Sequence, residues 1–194
     1  MRKGLSWFAA IIVLATGSMT SAAEVGEHVM GDENAPITMI EYASLTCPHC
    51  AAFNTGTLPA IKEQYIDTGK VKLVVREFPL DQIALAASVI AQCAGDERYF
   101  SFIDAMFSSQ EQWARADDPI AALIQLAQLG GLSPDQSRAC LDDKAMGDAV
   151  LQMRVDGVKE FDVNSTPTFI INGETYSGDR PIDEFAEIFD DLLD

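Results

Sequence analysis

The stretch "EYASLTCPHCAAF", Glu41 to Phe53, sets two cysteines three positions apart with a proline and a histidine between them. Such a pair serves as half of a zinc site, as a structural disulfide or as a redox couple, and the choice decides both fold and function. The residues leading into it, Ile37 to Leu45 ("ITMIEYASL"), are apolar enough for a largely buried strand that runs straight to the first cysteine. The segment "CPHCAAFNTGTLPAIKEQYIDTG" is helix-like, with Gly56 and Pro59 as a kink and Gly69 as its C-terminal stop. "VKLVVREF", Val71 to Phe78, alternates in the manner of a second strand. Strand, helix and strand in so short a span make a parallel βαβ unit.

Beyond Pro79 the period changes to that of helices. Ile83, Ala86, Ala87, Ile90 and Cys93 share one face, and Tyr99, Phe102, Ile103 and Met106 share another. Asp118-Pro119 reads as an N-cap followed by the first helical residue, with Gly130 ending that helix, and Ser133-Pro134-Asp135-Gln136 carries a capping-box pattern. Met146, Ala149, Val150, Met153 and Gly157 form one stripe of a longer helix. "TFIING" and "ETYSG" read as a hairpin over Thr168 to Gly178, and Pro181 opens a last helix through Ile182, Phe185, Phe189 and Leu192. Strands at both ends and helices between them predict an α/β domain formed by residues 24–79 and 144–194, interrupted by a helical insertion over residues 80–143.

The compartment bears on the cysteines, because disulfides persist only where the surroundings are oxidising. Arg2 and Lys3, the uncharged run Leu5 to Thr16 and the small residues ending at Ala22 and Ala23 follow the order of a secretory signal peptide. Cleavage is expected after Ala23, which places the mature protein in the periplasm. The apolar run is about a dozen residues, short of the roughly 20 that a spanning helix needs. The full chain carries 13 basic and 30 acidic residues, a formal net charge of −17, and loss of Arg2 and Lys3 makes the remainder two charges more negative. That balance argues against nucleic acid and anionic lipid as partners. The simplest role for the charge is a solvated surface.

A structural zinc site needs four ligands, and Cys93 and Cys140 are far apart in sequence while the only histidines are His28 and His49. A purely structural disulfide between Cys47 and Cys50 would close too small a loop to stabilise much. The redox reading gives each position a task. Cys47 ends a strand and begins a helix, so its sulfur faces unpaired backbone N–H groups that favour thiolate over thiol. Pro48 suits the first helical turn, where its missing N–H costs nothing. Cys50, one turn on, lies on the same side and can close onto Cys47, and the His49 imidazole can stabilise the thiolate further. His28 has no motif around it and reads as a surface residue.

Cys47-Pro48-His49-Cys50 after a buried strand, Glu41 six positions before the first cysteine, a helical insertion and Thr166-Pro167 before a late strand together resemble the DsbA-type thiol:disulfide oxidases of the thioredoxin-like superfamily. The resemblance spans essentially all of the chain after Ala23. It implies a thioredoxin-like fold with a helical insertion domain and a dithiol oxidase that needs neither cofactor nor metal. It implies that Cys47 and Cys50 are catalytic, that Pro48 and His49 tune them, and that Glu41 is a buried acid aiding proton movement at Cys50. It implies a cis Thr166-Pro167 bond beside the site, with Thr166 offering backbone groups to an extended peptide. The implied partners are reduced exported proteins and a membrane re-oxidant resembling DsbB, with the protein itself a monomer. Two readings compete: a reductase or isomerase kept reduced, and a non-enzymatic binder of peptide or copper. Cys93 and Cys140 are expected to form a structural disulfide within the insertion, the alternative being two separately buried thiols.

Overall fold

The computed structural model describes residues 25–194, so the leader expected over residues 1–23 lies outside the described residues. Its centre is a five-stranded sheet in the order β1-β3-β2-β4-β5, from His28–Met30, Ile37–Ala43, Val71–Glu77, Thr168–Ile171 and Glu174–Ser177 taken as β1 to β5. β2 and β3 are parallel with Ile37 opposite Val71, and the other three pairings are antiparallel. The parallel pair needs a crossover, which the helix begun at the cysteine pair supplies. β4 and β5 are joined at Asn172 and Gly173, both at positive φ, the conformation a tight hairpin turn requires.

The crossover is α1 (Pro48–Ala52), a wide π turn over Phe53–Thr57, α2 (Leu58–Ile61) and a second π turn over Lys62–Ile66. The irregularity expected at Gly56 and Pro59 takes the form of two turns that each take in an extra residue. Pro59, which has no N–H to donate, falls in the first turn of α2. The hydrophobic side of this crossover packs on the sheet face that carries Met39 and Phe169. Phe53 lies 4.6 Å from the Phe169 ring and 5.7 Å from Phe185 of α9 (Ile182–Leu193). The opposite face, with Tyr42, Ile170 and Phe78, is covered by α8 (Lys144–Phe161). There Gly157 comes so near that a Cβ would meet the Tyr42 ring at 2.6 Å.

Between β3 and α8 stand α3 (Gln82–Cys93), α4 (Asp96–Ser108), α5 (Gln110–Ala114), α6 (Pro119–Leu129) and α7 (Pro134–Asp142). Asp118 caps α6 and Ser133 with Gln136 closes a capping box on α7, as the sequence predicts. The buried side chains of these helices, Ile90, Tyr99, Phe102, Met106, Trp113 and Leu123 among them, join those of the crossover and sheet in one continuous hydrophobic core. The helical segment is therefore braced against the sheet by apolar burial rather than hung from a linker. A disulfide links Cys93, at the end of α3, to Cys140 in α7, with an S–S distance of 2.01 Å.

The N-terminal strand changes the reading of His28. β1 pairs antiparallel with β3, His28 opposite Val75, and the imidazole is 4 % exposed instead of lying on the surface. Its ring stacks on Tyr99 at 3.6 Å, with Nε2 2.8 Å from Gln92 Oε1 and Nδ1 3.2 Å from Asp96 Oδ1. A strand of three residues is too short to show alternation, and the side chains that meet the imidazole lie 64 or more residues away in sequence.

Candidate active site

β2 delivers the chain to a turn at Ser44 to Thr46, where the Cys47 N–H donates to Ser44 O at 3.0 Å. Cys47 is the N-cap of α1, extended at φ −81° and ψ 121°, and its carbonyl accepts the first helical bond from Ala51 N. Pro48 stands in the first helical turn, where no N–H is needed. Cys47 and Cys50 are both in the thiol form and both buried, Cys47 at 6 % and Cys50 at 0 % exposure. A residual opening to solvent therefore belongs to Cys47 alone.

The two sulfurs are unequal in their surroundings. The Cys50 thiol hydrogen-bonds to the Cys47 sulfur, and this is the largest influence holding the Cys47 thiol down to about 5, against the opposing effect of burial. Thr166 and the backbone N–H groups of Cys50 and His49 lower it further. Burial pushes the Cys50 thiol up, and hydrogen bonding to Cys47 and the charge of Glu41 push the same way. One cysteine is thus set to ionise and the other to keep its proton.

Thr166-Pro167 is cis, and the Cys47 thiol donates to Thr166 O at 3.3 Å. Glu41 sits on the sheet face shared with Met39 and Ala43, paired with Val75 and Phe169 on the neighbouring strands. It is 1 % exposed and its Oε1 has no hydrogen-bond partner. Burial first, then the charges of Glu77, Cys47 and Asp179, push its carboxyl up to about 8. A carboxyl that holds its proton near neutrality, in a dry site beside two thiols, is suited to exchanging that proton with sulfur. His49 is exposed, and what it gives Cys47 is its backbone N–H. The structure thus gathers Cys47, Cys50, Pro48, Glu41, Thr166 and Pro167 at one place, with the His49 ring on its rim, and puts Cys93 and Cys140 elsewhere.

Three further residues frame the site. Glu77, at the end of β3, accepts hydrogen bonds from Ser88 Oγ at 2.6 Å and Tyr99 Oη at 2.7 Å, and burial pushes its carboxyl up against their effect. The period-two pattern of β3 holds its signal, since Val71, Leu73, Val75 and Glu77 share one face and a carboxylate there must point inward. Asp81 caps α3 through Ala84 N and accepts from Thr46 Oγ1 at 2.7 Å, tying the cysteine turn to that helix. Its place ahead of an apolar helical run marks it as a cap. Gln110, in α5, donates from Nε2 to Leu45 O at 2.8 Å and to Cys47 O at 3.0 Å. Nothing in the local sequence singles it out.

The chain is similar to known proteins. The family model described as Thioredoxin matches residues 23–191. A Rickettsia typhi protein provisionally named a protein-disulfide oxidoreductase is 32 % identical over 89 % of this chain and 66 % of its own length. A counterpart from Rickettsia bellii is 33 % identical over 84 % of this chain and 64 % of its own length. The chain thus spans a little under two thirds of these relatives. Among solved structures, alpha-DsbA1 of Wolbachia pipientis is 34 % identical, with 86 % of this chain and 90 % of that one superposed at a TM-score of 0.79. BdbD of Bacillus subtilis shares the fold at 22 % identity, over 86 % of this chain and 92 % of its own, with a TM-score of 0.75. With a cysteine pair at a helix start, a cis-proline loop against it and helices inserted between β3 and α8, the chain belongs to the thioredoxin family, in its DsbA-type branch.

Proposed function

We propose that this protein is a dithiol oxidase that gives its Cys47–Cys50 disulfide to reduced proteins as they fold outside the cytoplasm. The observation that carries this reading is the inequality of the two sulfurs: Cys47 is held down to about 5 whereas the thiol of Cys50 is pushed up. A substrate thiolate attacks the more accessible Cys47 sulfur, the Cys47–Cys50 bond breaks, and both electrons of that bond leave with Cys50. Cys50 takes a proton, for which protonated Glu41 is the nearby source, and Glu41 later recovers one from solvent. A second substrate thiolate attacks the substrate sulfur of the mixed disulfide and expels Cys47 as a thiolate. The substrate has then lost two electrons and two protons; the enzyme holds the electrons and one proton, and the other proton goes to water. Because a stabilised thiolate is a good leaving group, the second step runs toward release of oxidised substrate.

Thr166 and Pro167 form the wall against which an extended peptide would dock beside Cys47. The Cys93–Cys140 bridge serves stability. The division into a thioredoxin-like domain of residues 24–79 and 144–194 and an insertion of residues 80–143 follows the chain order of sheet and helices. Export in monomeric form and re-oxidation by a DsbB-like membrane protein complete the reading. No helix among the described residues is long and apolar enough to cross a membrane. The test is to mix the oxidised protein with a reduced, unfolded disulfide protein and, separately, to equilibrate it with glutathione. Rapid oxidation of the substrate and a potential well above that of thioredoxin (about −270 mV) are expected. A potential near thioredoxin's would assign the protein to the reductases.

A further inference from the structure

The catalytic turn has a support that comes from outside the thioredoxin-like part of the chain. Ser44 to Cys47 leaves β2 and enters α1, and such a turn exposes carbonyls that neither strand nor helix satisfies. One of them, on Leu45, points at the same side chain as the Cys47 carbonyl, which also accepts the first helical bond from Ala51 N. Gln110 Nε2 donates both its hydrogens, at 2.8 Å and 3.0 Å, bridging the two carbonyls that flank Thr46. Gln110 is 8 % exposed, and its helix is pinned in turn by Trp113, which is 2 % exposed and donates from Nε1 to Met106 O at 2.7 Å. The donor is therefore held rigidly, from a residue 63 positions away in sequence from Cys47.

We propose that Gln110 is a positioning residue for Cys47, through which the helical segment sets the stability of the reactive thiolate. Two effects act in the same direction. The carbonyl of Cys47 carries partial negative charge close to its own sulfur, and the Gln110 amide hydrogens neutralise it where water has little access. The same two bonds fix the peptide planes on either side of Thr46. They hold the sulfur over the N–H groups of His49 and Cys50, which lower its proton affinity. Removing the donor leaves the Leu45 carbonyl unpaired and the Cys47 carbonyl with only its helical bond from Ala51 N. The less neutralised Cys47 carbonyl and the freer N-cap residue both favour thiol over thiolate.

The inference rests on the dithiol chemistry proposed above, and its test is separable from that reading. Gln110→Met keeps the length of the side chain and fills its space without a donor; Gln112→Met, on the exposed neighbour, is the control. Thiolate absorbance against pH and the glutathione equilibrium are measured for each protein. For Gln110→Met the Cys47 titration should move to higher pH by about one unit, and the equilibrium should shift about tenfold toward the disulfide form, the scale of one lost buried hydrogen bond. A folded Gln110→Met with wild-type titration and equilibrium, or an equal shift in Gln112→Met, would overturn the assignment. Should Gln110→Met not fold, the wild-type protein still decides: its Gln110 side-chain amide resonances are expected to differ between the reduced and oxidised forms, and superimposable resonances would overturn it. A cysteine pair that exchanges with no thiol at all would instead reject the function proposed above.

Discussion

The molecule holds two cysteine pairs in opposite states, one free and one bridged, although the residues are the same. Cys47 and Cys50 are three positions apart at a helix start, with a thiolate-stabilising shell and the buried carboxyl of Glu41 beside them. Cys93 and Cys140 are separated by 47 positions, joined to each other, and packed among Val89, Leu141, Met146 and Val150. The difference lies in the donors around sulfur and not in exposure, since Cys93 and Cys140 are each half-buried whereas Cys47 and Cys50 are buried. Long loop closure makes a bridge useful for stability, whereas a polar shell at a helix start makes a bridge easy to give away.

The widest separation of the two pairs is expected from serine substitution. Cys47→Ser should abolish disulfide exchange, and Cys50→Ser should leave an attacking thiol that accumulates mixed disulfides, both read by mass spectrometry after reaction with a model peptide. Cys93→Ser and Cys140→Ser should keep the exchange rate and lower stability to denaturant. The loss expected for a closed loop of this length is about 4 kcal/mol in the chain-entropy model. Loss of exchange in a folded Cys93→Ser protein would erase the contrast.

Much of that contrast is legible in the sequence, and the reason is local. The cysteine turn is announced by a strand pattern before it and a proline after it, the caps at Asp118 and Ser133 lie three residues from the N–H groups they bind, and Asn172-Gly173 marks its own hairpin. The long-range contacts join residues distant in sequence. Gln110 reaches the cysteine turn across more than 60 residues, Glu77 takes its hydroxyl donors from two helices, and His28 is buried only because β1 lies along β3. Periodicity carries no information about such meetings. The two π turns are hidden likewise, since Gly56 and Pro59 signal an irregular helix without specifying its form.

A smaller effect sharpens the role of the acid beneath the reactive pair. Glu41 is raised from 4.5 to about 8, so between these values the folded protein holds a proton that the unfolded chain has released. Stability therefore falls as pH rises through that window, by up to about 1.4 kcal/mol per pH unit. The oxidised protein, whose cysteines do not titrate, is the form in which to see it. Glu41→Gln should flatten this slope in urea unfolding of the oxidised form and slow exchange near neutral pH. An unaltered slope would show that the carboxyl is not the group responsible.

The smallest effect belongs to His49. Because its ring is exposed and its backbone N–H makes the contribution to Cys47, His49→Ala should move the thiolate titration by less than about half a unit, the scale of a surface charge interaction. A larger displacement in the absorbance titration would return a direct role to the imidazole.

The most direct test of thiolate stabilisation as the source of oxidising power is the stability of the reduced protein relative to the oxidised protein, measured by denaturant unfolding across pH 4 to 9. In the reduced form Cys47 is lowered from 9.0 to about 5. Between those values the folded state has released a proton that the unfolded state still holds, and stability rises with pH. Glu41 titrates in both forms and largely cancels in the difference. The reduced form is expected to be the more stable at pH 7, with an advantage that grows by up to about 1.4 kcal/mol per pH unit between pH 5 and 9 and fades below pH 5. An oxidised form more stable than the reduced form at pH 7, or a difference that does not vary with pH, would contradict it.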